Sequence, residues 1–429
     1  MITADDSGLG RRTTHEPLLL VSDFNTNVLM GLFNNDSRAP QVRAETAGFG
    51  NVIGTLLDET SSVWKEKPFA LVWMRPEGVS DTFVKALQME SVDVAEALQD
   101  VDRLCDALLS AGRRAKALFV ANWQISGGAR GYGMIDMQPG LGVRFLLAAM
   151  NDRLVQRLSG QAGIYVLDSA RWFQCREPFT PKLWYLAKIP YSNDVFKAAL
   201  GDVKSAIRGL QGQARKVVIC DLDDTLWGGI VGDMGWENLR IGGHDAIGEA
   251  LADFQRELKA LTRRGVILAI VSKNTESIAL EAIELHPEMI LRRKDFAGWR
   301  INWKDKAQNI VDLMQELNLG LQSAVFLDDN PVERARVAES LPELLVPELP
   351  KDQMLYVDAL RRLDCFDTPI LSTEDRQRTA MYSVARERNE VMQQQNVGSL
   401  DDWLQTLDVT VHAELISESN CQRVSQLLN

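Results

Sequence analysis

Val217-Val218-Ile219-Cys220-Asp221-Leu222-Asp223-Asp224-Thr225-Leu226 is the stretch on which the reading of this chain turns. An apolar run ends abruptly in Asp-x-Asp-x-Thr, the pattern of a buried parallel strand that stops at a ligand crevice. Side chains alternate along a strand, so Asp221 and Asp223 share one side of that crevice. Two carboxylates so close repel unless a cation neutralises them, and magnesium, which prefers hard oxygen ligands, suits the pair.

Other strand ends supply complementary groups. Ile270-Val271-Ser272-Lys273-Asn274 closes an apolar run with a hydroxyl and an amide suited to phosphate oxygens. Asn302-Trp303-Lys304-Asp305-Lys306 carries two candidate lysines, and Val325-Phe326-Leu327-Asp328-Asp329-Asn330 ends a further strand in paired acids. All fall where a doubly wound sheet places its ligand site.

This ordered set resembles the motifs of the haloacid-dehalogenase-like (HAD) superfamily. The resemblance implies Asp221 as the nucleophile toward phosphorus and Asp223 as the general acid–base. It implies magnesium held by Asp221, Asp223 and Asp328, with Asp329 nearby. Ser272, Asn274 and Lys306 would hold the phosphoryl oxygens, Lys306 being preferred to Lys304 because it opens the Lys-x-x-Asn-Ile pattern. Thr225 joins this binding set, and Trp227, with Gly228 and Gly229 behind it, would form a flap beside the nucleophile. The insert from Ile230 to Gly243 is too short for a large cap domain and leaves room for a long prosthetic arm.

A narrower likeness rests on Asp221 to Gly229, Val271 to Asn274, Asn302-Trp303, Phe326 to Pro331, Val346 to Pro350 and Thr373 to Arg376. Trp184 to Lys188 and Val72 to Glu77 extend it upstream. These segments resemble the FkbH-like glyceryl transferase/phosphatases of polyketide biosynthesis. The resemblance implies D-1,3-bisphosphoglycerate as substrate and the phosphopantetheine thiol of an acyl carrier protein as acceptor, with neighbouring synthase modules as further partners. The alternative is a magnesium-dependent phosphatase of a small metabolite or phosphoprotein, without acyl transfer. Attack by Asp221 on the acyl phosphate would waste the activated acyl group, so transfer calls for a thiolate at the carbonyl carbon. Cys220, Cys365 and Cys175 are the candidates, Cys220 first, and direct attack by the carrier thiol stays open. Cys105 reads as helix packing and Cys421 as a tail residue.

The whole chain has 429 residues, 47 Lys+Arg against 59 Asp+Glu, and a net charge of −12. That length suggests two large domains or about three smaller ones. The acidic balance speaks against nucleic acid as a partner. The chain shows no apolar stretch long enough for a membrane helix and no secretory signal. Five widely spaced cysteines without a Cys-x-x-Cys pair fit a reducing cytoplasm rather than a disulfide framework or zinc site.

Apolar runs at Pro17–Val21, Phe69–Trp73, Ala117–Ala121 and Gly163–Leu167 alternate with helical patterns, as do Val217–Cys220, Gly265–Val271, Met289–Leu291 and Ala324–Leu327. The expectation is an α/β chain with two doubly wound parallel-sheet domains. A flexible arm covers residues 1–16, an SGNH/GDSL-hydrolase-like domain 17–212, a HAD-like Rossmannoid catalytic domain 213–360, and a small α/β extension 361–429. Ser372 with Asp375 reads as an N-cap before a helix over 376–395, and Asp408–Leu415 as a strand. The chain stops at Asn429 as if cut from a longer one. Ser22 stands where the SGNH fold keeps its nucleophile, but no histidine lies between 150 and 213 to activate it, so the first domain reads as catalytically degenerate. That leaves carrier docking or scaffolding as its role. The glycine-rich stretch Gly127–Gly133 reads as a mobile loop, phosphate contact through Arg130 being the lesser alternative.

Overall fold

The computed structural model describes residues 15–375, 378, 381, 382 and 414–417. The chain divides into two compact units, Met1–Ile207 and Arg208–Asn429, slightly ahead of the boundary expected at 212/213.

The first unit contains five parallel strands in the order β2-β1-β3-β4-β5. They are β1 (Glu16–Ser22), β2 (Val42–Thr46), β3 (Phe69–Trp73), β4 (Ala117–Ala121) and β5 (Ile164–Leu167). Leu19, Val21, Ala70, Val72, Leu118 and Val120 face a core completed by helices Val94–Gly112 and Val143–Leu158. Leu18, Leu20, Leu71 and Phe119, on the other face, are equally buried. Strands covered on both sides explain why their sequences run apolar without a break. β2 is the exception. Its exposure alternates, as befits an edge strand, and Val-Arg-Ala-Glu-Thr gives no continuous apolar run to read.

Among the described residues, the second unit shows four parallel strands in the order β8-β7-β6-β9. They are β6 (Val217–Cys220), β7 (Ile267–Ser272), β8 (Phe296–Ile301) and β9 (Ala324–Leu327). Val218, Cys220, Leu268, Ile270, Val325 and Leu327 pack against Leu251, Phe254 and Leu258 of helix Ala246–Thr262. Val217, Ile219, Ile267, Ala269, Ala324 and Phe326 pack against Ile310, Leu313 and Met314 of helix Lys306–Glu316. The chain runs outward from β6 through β7 to β8, then returns to place β9 on the other side of β6. A switch point of this kind opens a crevice at the carboxyl end of β6.

Met289–Leu291 is not a strand. Met289 and Leu291 are buried, but the N–H groups of Ile290 and Leu291 donate to the side-chain Oε1 of Gln255 at 3.0 and 3.1 Å rather than to a neighbouring strand. The strand falls instead at β8, whose Gly298 and Arg300 interrupt the apolar pattern. The expected cap at Ser372 is formed reciprocally: Asp375 N–H donates to Ser372 Oγ at 3.0 Å, and Ser372 N–H to the Asp375 carboxylate at 2.9 Å. Most of the helix expected over 376–395, most of the strand over 408–415, Cys421 and nearly all of the arm lie outside the described residues. Among the described residues no helix is long and apolar enough to cross a membrane.

Candidate active site

The crevice at β6 collects side chains from three strand ends. β6 runs straight into Asp221, whose N–H donates to Leu327 O of β9 at 2.9 Å. Asp328 and Asp329 follow β9, and Lys306 opens the helix that leaves β8. Carboxylate oxygens of Asp221, Asp328 and Asp329 lie within 4.8 Å of one another. Lys306 Nζ donates to Asp221 Oδ2 at 2.8 Å and to Asp328 Oδ2 at 2.6 Å. Three carboxylates against one ammonium leave a formal charge of −2 when all are ionised. Asp221 Oδ1 is buried and has no hydrogen-bond partner among the described residues. An all-oxygen donor set, a charge deficit of two and an orphaned carboxylate oxygen fit a divalent cation such as magnesium.

The titration of the cluster reflects this crowding. Burial, then the Asp221 charge, pushes Asp328 up to about 6, against the pull of Lys306. Asp329 is raised for the same two reasons. Burial works against the Lys306 ammonium, but the Asp221 and Asp328 carboxylates more than reverse it, so its affinity for the proton rises.

Asp223 stands apart from this cluster, contrary to its expected place among the metal ligands. Its Oδ1 accepts from Trp227 Nε1 at 2.8 Å and from Val231 N–H at 3.1 Å, and its Oδ2 accepts from Asn274 Nδ2 at 2.9 Å. With both oxygens held by donors, its place in the acidic cluster falls to Asp329. Burial raises the Asp223 carboxyl above its ordinary range, so it holds a proton more readily than a free aspartic acid.

Several expected substrate contacts are internal braces instead. Trp227 is fully buried and ties down Asp223, so it is not a flap. Thr225, also fully buried, donates to Asp329 Oδ1 at 3.2 Å and accepts from Asp329 N–H at 3.1 Å. Asn274 spends its amide on Asp223. Ser272 ends β7 beside the crevice and is buried. Of the two lysines, Lys304 is exposed, while Lys306 bridges the acids.

The expected thiols lie elsewhere. Cys220 points to the face of β6 covered by helix Ala246–Thr262, opposite to its neighbour Asp221, and burial pushes its thiol far up. Cys365 belongs to the same apolar cluster, and burial pushes it up to about 12. Neither is a thiolate at neutral pH. Cys175 Sγ lies 3.7 Å from Ser192 Oγ in the first unit. Cys105 is buried in the core there, as its helix pattern suggests.

Four supporting residues escaped the sequence reading. Asp224 follows the acidic pair with φ +55°, a left-handed conformation unusual for a non-glycine residue. Its carbonyl accepts from Gln353 Nε2 at 2.8 Å and from Tyr356 Oη at 3.4 Å, and its carboxylate accepts from Gly229 N–H at 2.8 Å. Arg334 Nη1 donates to the carbonyls of both Asp328 and Asp329 at 2.7 Å. Gln353 and Tyr356 sit more than a hundred residues from the loop they hold, with no local pattern to announce them. Arg334 did have a signal, because Asn330-Pro331 caps and starts the helix that carries it.

In the first unit, Ser22 is buried at the end of β1 and its Oγ accepts from Phe24 N–H at 3.1 Å. Among the described residues of this unit no histidine follows His15. Arg130 is exposed in its glycine-rich loop, which Asp136 anchors through the N–H groups of Tyr132 and Val143.

Comparison with solved structures places this architecture. The chain is similar to the N-terminal part of protein BF1531 from Bacteroides fragilis, whose crystal structure contains a phosphatase domain complexed with Mg. The two share 28% identity and a TM-score of 0.74, over 82% of this chain and 94% of that one. The fold is a phosphatase-type α/β fold. No protein-family model and no curated protein matches the chain. The neighbour's magnesium accords with the acidic cluster of Asp221, Asp328 and Asp329, whose oxygens could hold a divalent cation.

Proposed function

We propose that the protein is a magnesium-dependent phosphatase acting through an aspartyl phosphate on Asp221. The observation that carries this reading is the buried, unpartnered Asp221 Oδ1 beside a lysine and two further carboxylates. Asp221 attacks phosphorus; the Asp221–phosphorus bond forms as the bond to the leaving oxygen breaks. Asp223, whose raised affinity keeps a proton within reach, protonates that oxygen. The resulting carboxylate then takes a proton from water, which attacks the aspartyl phosphate and frees inorganic phosphate. Lys306 and Ser272 serve the phosphoryl oxygens. The bound cation supplies charge neutralisation for the transferring group.

The finer reading, supported by the residue-level resemblance to the FkbH-like proteins, is glyceryl transfer. D-1,3-bisphosphoglycerate is the substrate, and the phosphopantetheine thiol of a carrier protein is the acceptor. Because Cys220 and Cys365 are buried and protonated, the acyl step is assigned to the carrier thiol itself, with Cys175 as the remaining enzyme candidate. Its thiolate attacks the carbonyl carbon, and the C1 phosphate leaves as the carbon–oxygen bond breaks. The Asp221 apparatus removes the C3 phosphate. Incubation with bisphosphoglycerate and a phosphopantetheinylated carrier, read by intact mass and phosphate assay, tests both levels. A glyceryl mass on the carrier supports transfer. Phosphate release with an unmodified carrier limits the protein to a phosphatase, and an enzyme-bound acyl adduct overturns direct attack.

A further inference from the structure

The mouth of the crevice has a composition that phosphate chemistry alone does not call for. Trp303 is 73% exposed, three residues before Lys306. Tryptophan is among the most hidden residue types on average, and this one is held outward by a built frame. Asn302 N–H donates to Ser272 O at 3.1 Å. The side chains of Asn302 and Asn309 exchange hydrogen bonds at 2.9 and 3.3 Å. Lys304 N–H donates to Asn302 Oδ1 at 2.9 Å, and Asp305 caps the helix that delivers Lys306.

Two more segments that leave the same carboxyl edge, a loop and the start of a helix, carry exposed apolar residues. Ile230, 49% exposed, precedes Val231, whose N–H holds Asp223. Val332, 73% exposed, follows Asp329 by three residues. Scattered apolar residues on a surface are ordinary, but these three follow three different strands of one sheet, on the edge that also carries the acidic site.

We propose that Trp303 is a specificity-determining residue that receives the leaving group, and that the substrates are phosphoesters whose leaving group carries extended apolar surface beyond the phosphate. This inference rests on the phosphatase reading. Glycerate alone offers no such surface, so in the glyceryl reading the apolar part belongs to whatever the glycerate is attached to. Ring stacking and burial against an indole strengthen binding of that part without touching the phosphorus centre.

The test is steady-state kinetics of the full chain with magnesium on two probes, 2-naphthyl phosphate and 3-phosphoglycerate. Trp303→Ala is expected to cut kcat/KM for the naphthyl ester about tenfold, mainly through KM. The naphthyl-to-phosphoglycerate ratio should fall at least about fivefold, and Trp303→Phe should restore most of it. Turnover of both probes with an unchanged ratio in Trp303→Ala overturns the inference and leaves the phosphatase reading standing. Turnover of neither probe by the wild type overturns both. Because Trp303 is exposed, an unchanged melting temperature verifies that the variant is folded.

Discussion

Two buried lysines, one in each unit, show how the same residue serves structure in one place and chemistry in another. Lys204 is 2% exposed and Lys306 3%. Lys204 Nζ meets the Asp36 carboxylate, Oδ2 at 3.2 Å, and the carbonyls of Asp36 and Arg38. Asp36 is also paired with Arg38, and hydrogen bonds from Arg38 help bring its carboxyl down to about 2. Lys306 instead faces Asp221 and Asp328, with Asp329 beside them, and Asp328 and Asp329 are pushed up rather than down. The first lysine sits among groups that balance it. The second is outnumbered, and a buried excess of negative charge persists in a fold when something outside the chain completes it.

The sharpest way to break this contrast is at the nucleophile. Asp221→Asn should reduce phosphate release by roughly 10³-fold or more while weakening magnesium binding only in part, since Asp328 and Asp329 remain. A phosphate assay with magnesium titrated by calorimetry reads both. Full dephosphorylation by Asp221→Asn removes that residue from its role. The matched change in the first unit, Ser22→Ala, should leave phosphate release within twofold of wild type.

Substituting the two lysines tests the comparison directly. Lys204→Met leaves the Asp36 carboxylate with Arg38 but unpairs a buried site, at a cost of about 3 kcal/mol of stability with catalysis by the folded fraction retained. Lys306→Met should cost about a hundredfold or more in phosphate release. It should also make the melting temperature depend more steeply on magnesium, because three acids then face one another without their cation. Equal behaviour of the two variants in activity would dissolve the distinction drawn here.

How much of this was legible beforehand follows from which forces act locally. The strands buried on both faces stand out as apolar runs, and the acids at their ends mark the crevice, so Asp221 and Asp328 could be placed together from the strand ends, whereas Lys306 is preferred to Lys304 only through the family resemblance. Side-chain alternation also put Cys220 on the far side of β6, even though the chemistry of acyl transfer argued for a thiol. What local pattern could not show was competition for partners. Asp223 and Asp329 look interchangeable as ligands in sequence; the donors Trp227, Val231 and Asn274 decide between them. β2 and β8 were hidden because an edge strand needs only one apolar side and a glycine breaks a run.

The acidic site should also betray itself in stability before any substrate is found. In the metal-free protein Asp328 holds its proton up to about pH 6, whereas an unfolded chain releases it near the ordinary aspartate value. The folded state therefore binds the proton more tightly, and stability from this group falls as pH rises from about 4 through about 6. Lys306, whose proton affinity is raised, stays charged across that window and does not oppose the trend. Magnesium should restore what is lost near neutrality, by about 2.7 kcal/mol at a hundred times its Kd. Asp328→Asn should flatten the metal-free pH dependence, raise the metal-free melting temperature at pH 7 and reduce the shift on adding magnesium, since Asp221 and Asp329 remain. Melting curves at pH 5 and 7, with and without the ion, read all three; a variant less stable than wild type without metal at pH 7 would mean that its carboxylate is not under strain.

The smallest expected effect lies furthest from the chemistry. Gln353→Ala removes one of two donors to the carbonyl of Asp224, worth about 1 kcal/mol. Asp224 occupies a left-handed conformation that its neighbours must hold, and the same residue fixes Gly229 through its carboxylate. Loosening it lets the loop carrying Asp223 drift, so kcat should fall several-fold with KM nearly unchanged, and Gln353→Glu, which keeps the side-chain length but not the amide donor, should not rescue it. The first unit offers the control. Asp23 just after β1 accepts from Arg75 N–H and Nε at 2.9 and 3.1 Å, with Arg75 stacked 3.8 Å from the Trp184 ring. Arg75→Ala should therefore cost stability but leave kcat alone. If Gln353→Ala and Arg75→Ala alter kcat alike, the Asp224 loop does not position the crevice in the way drawn here.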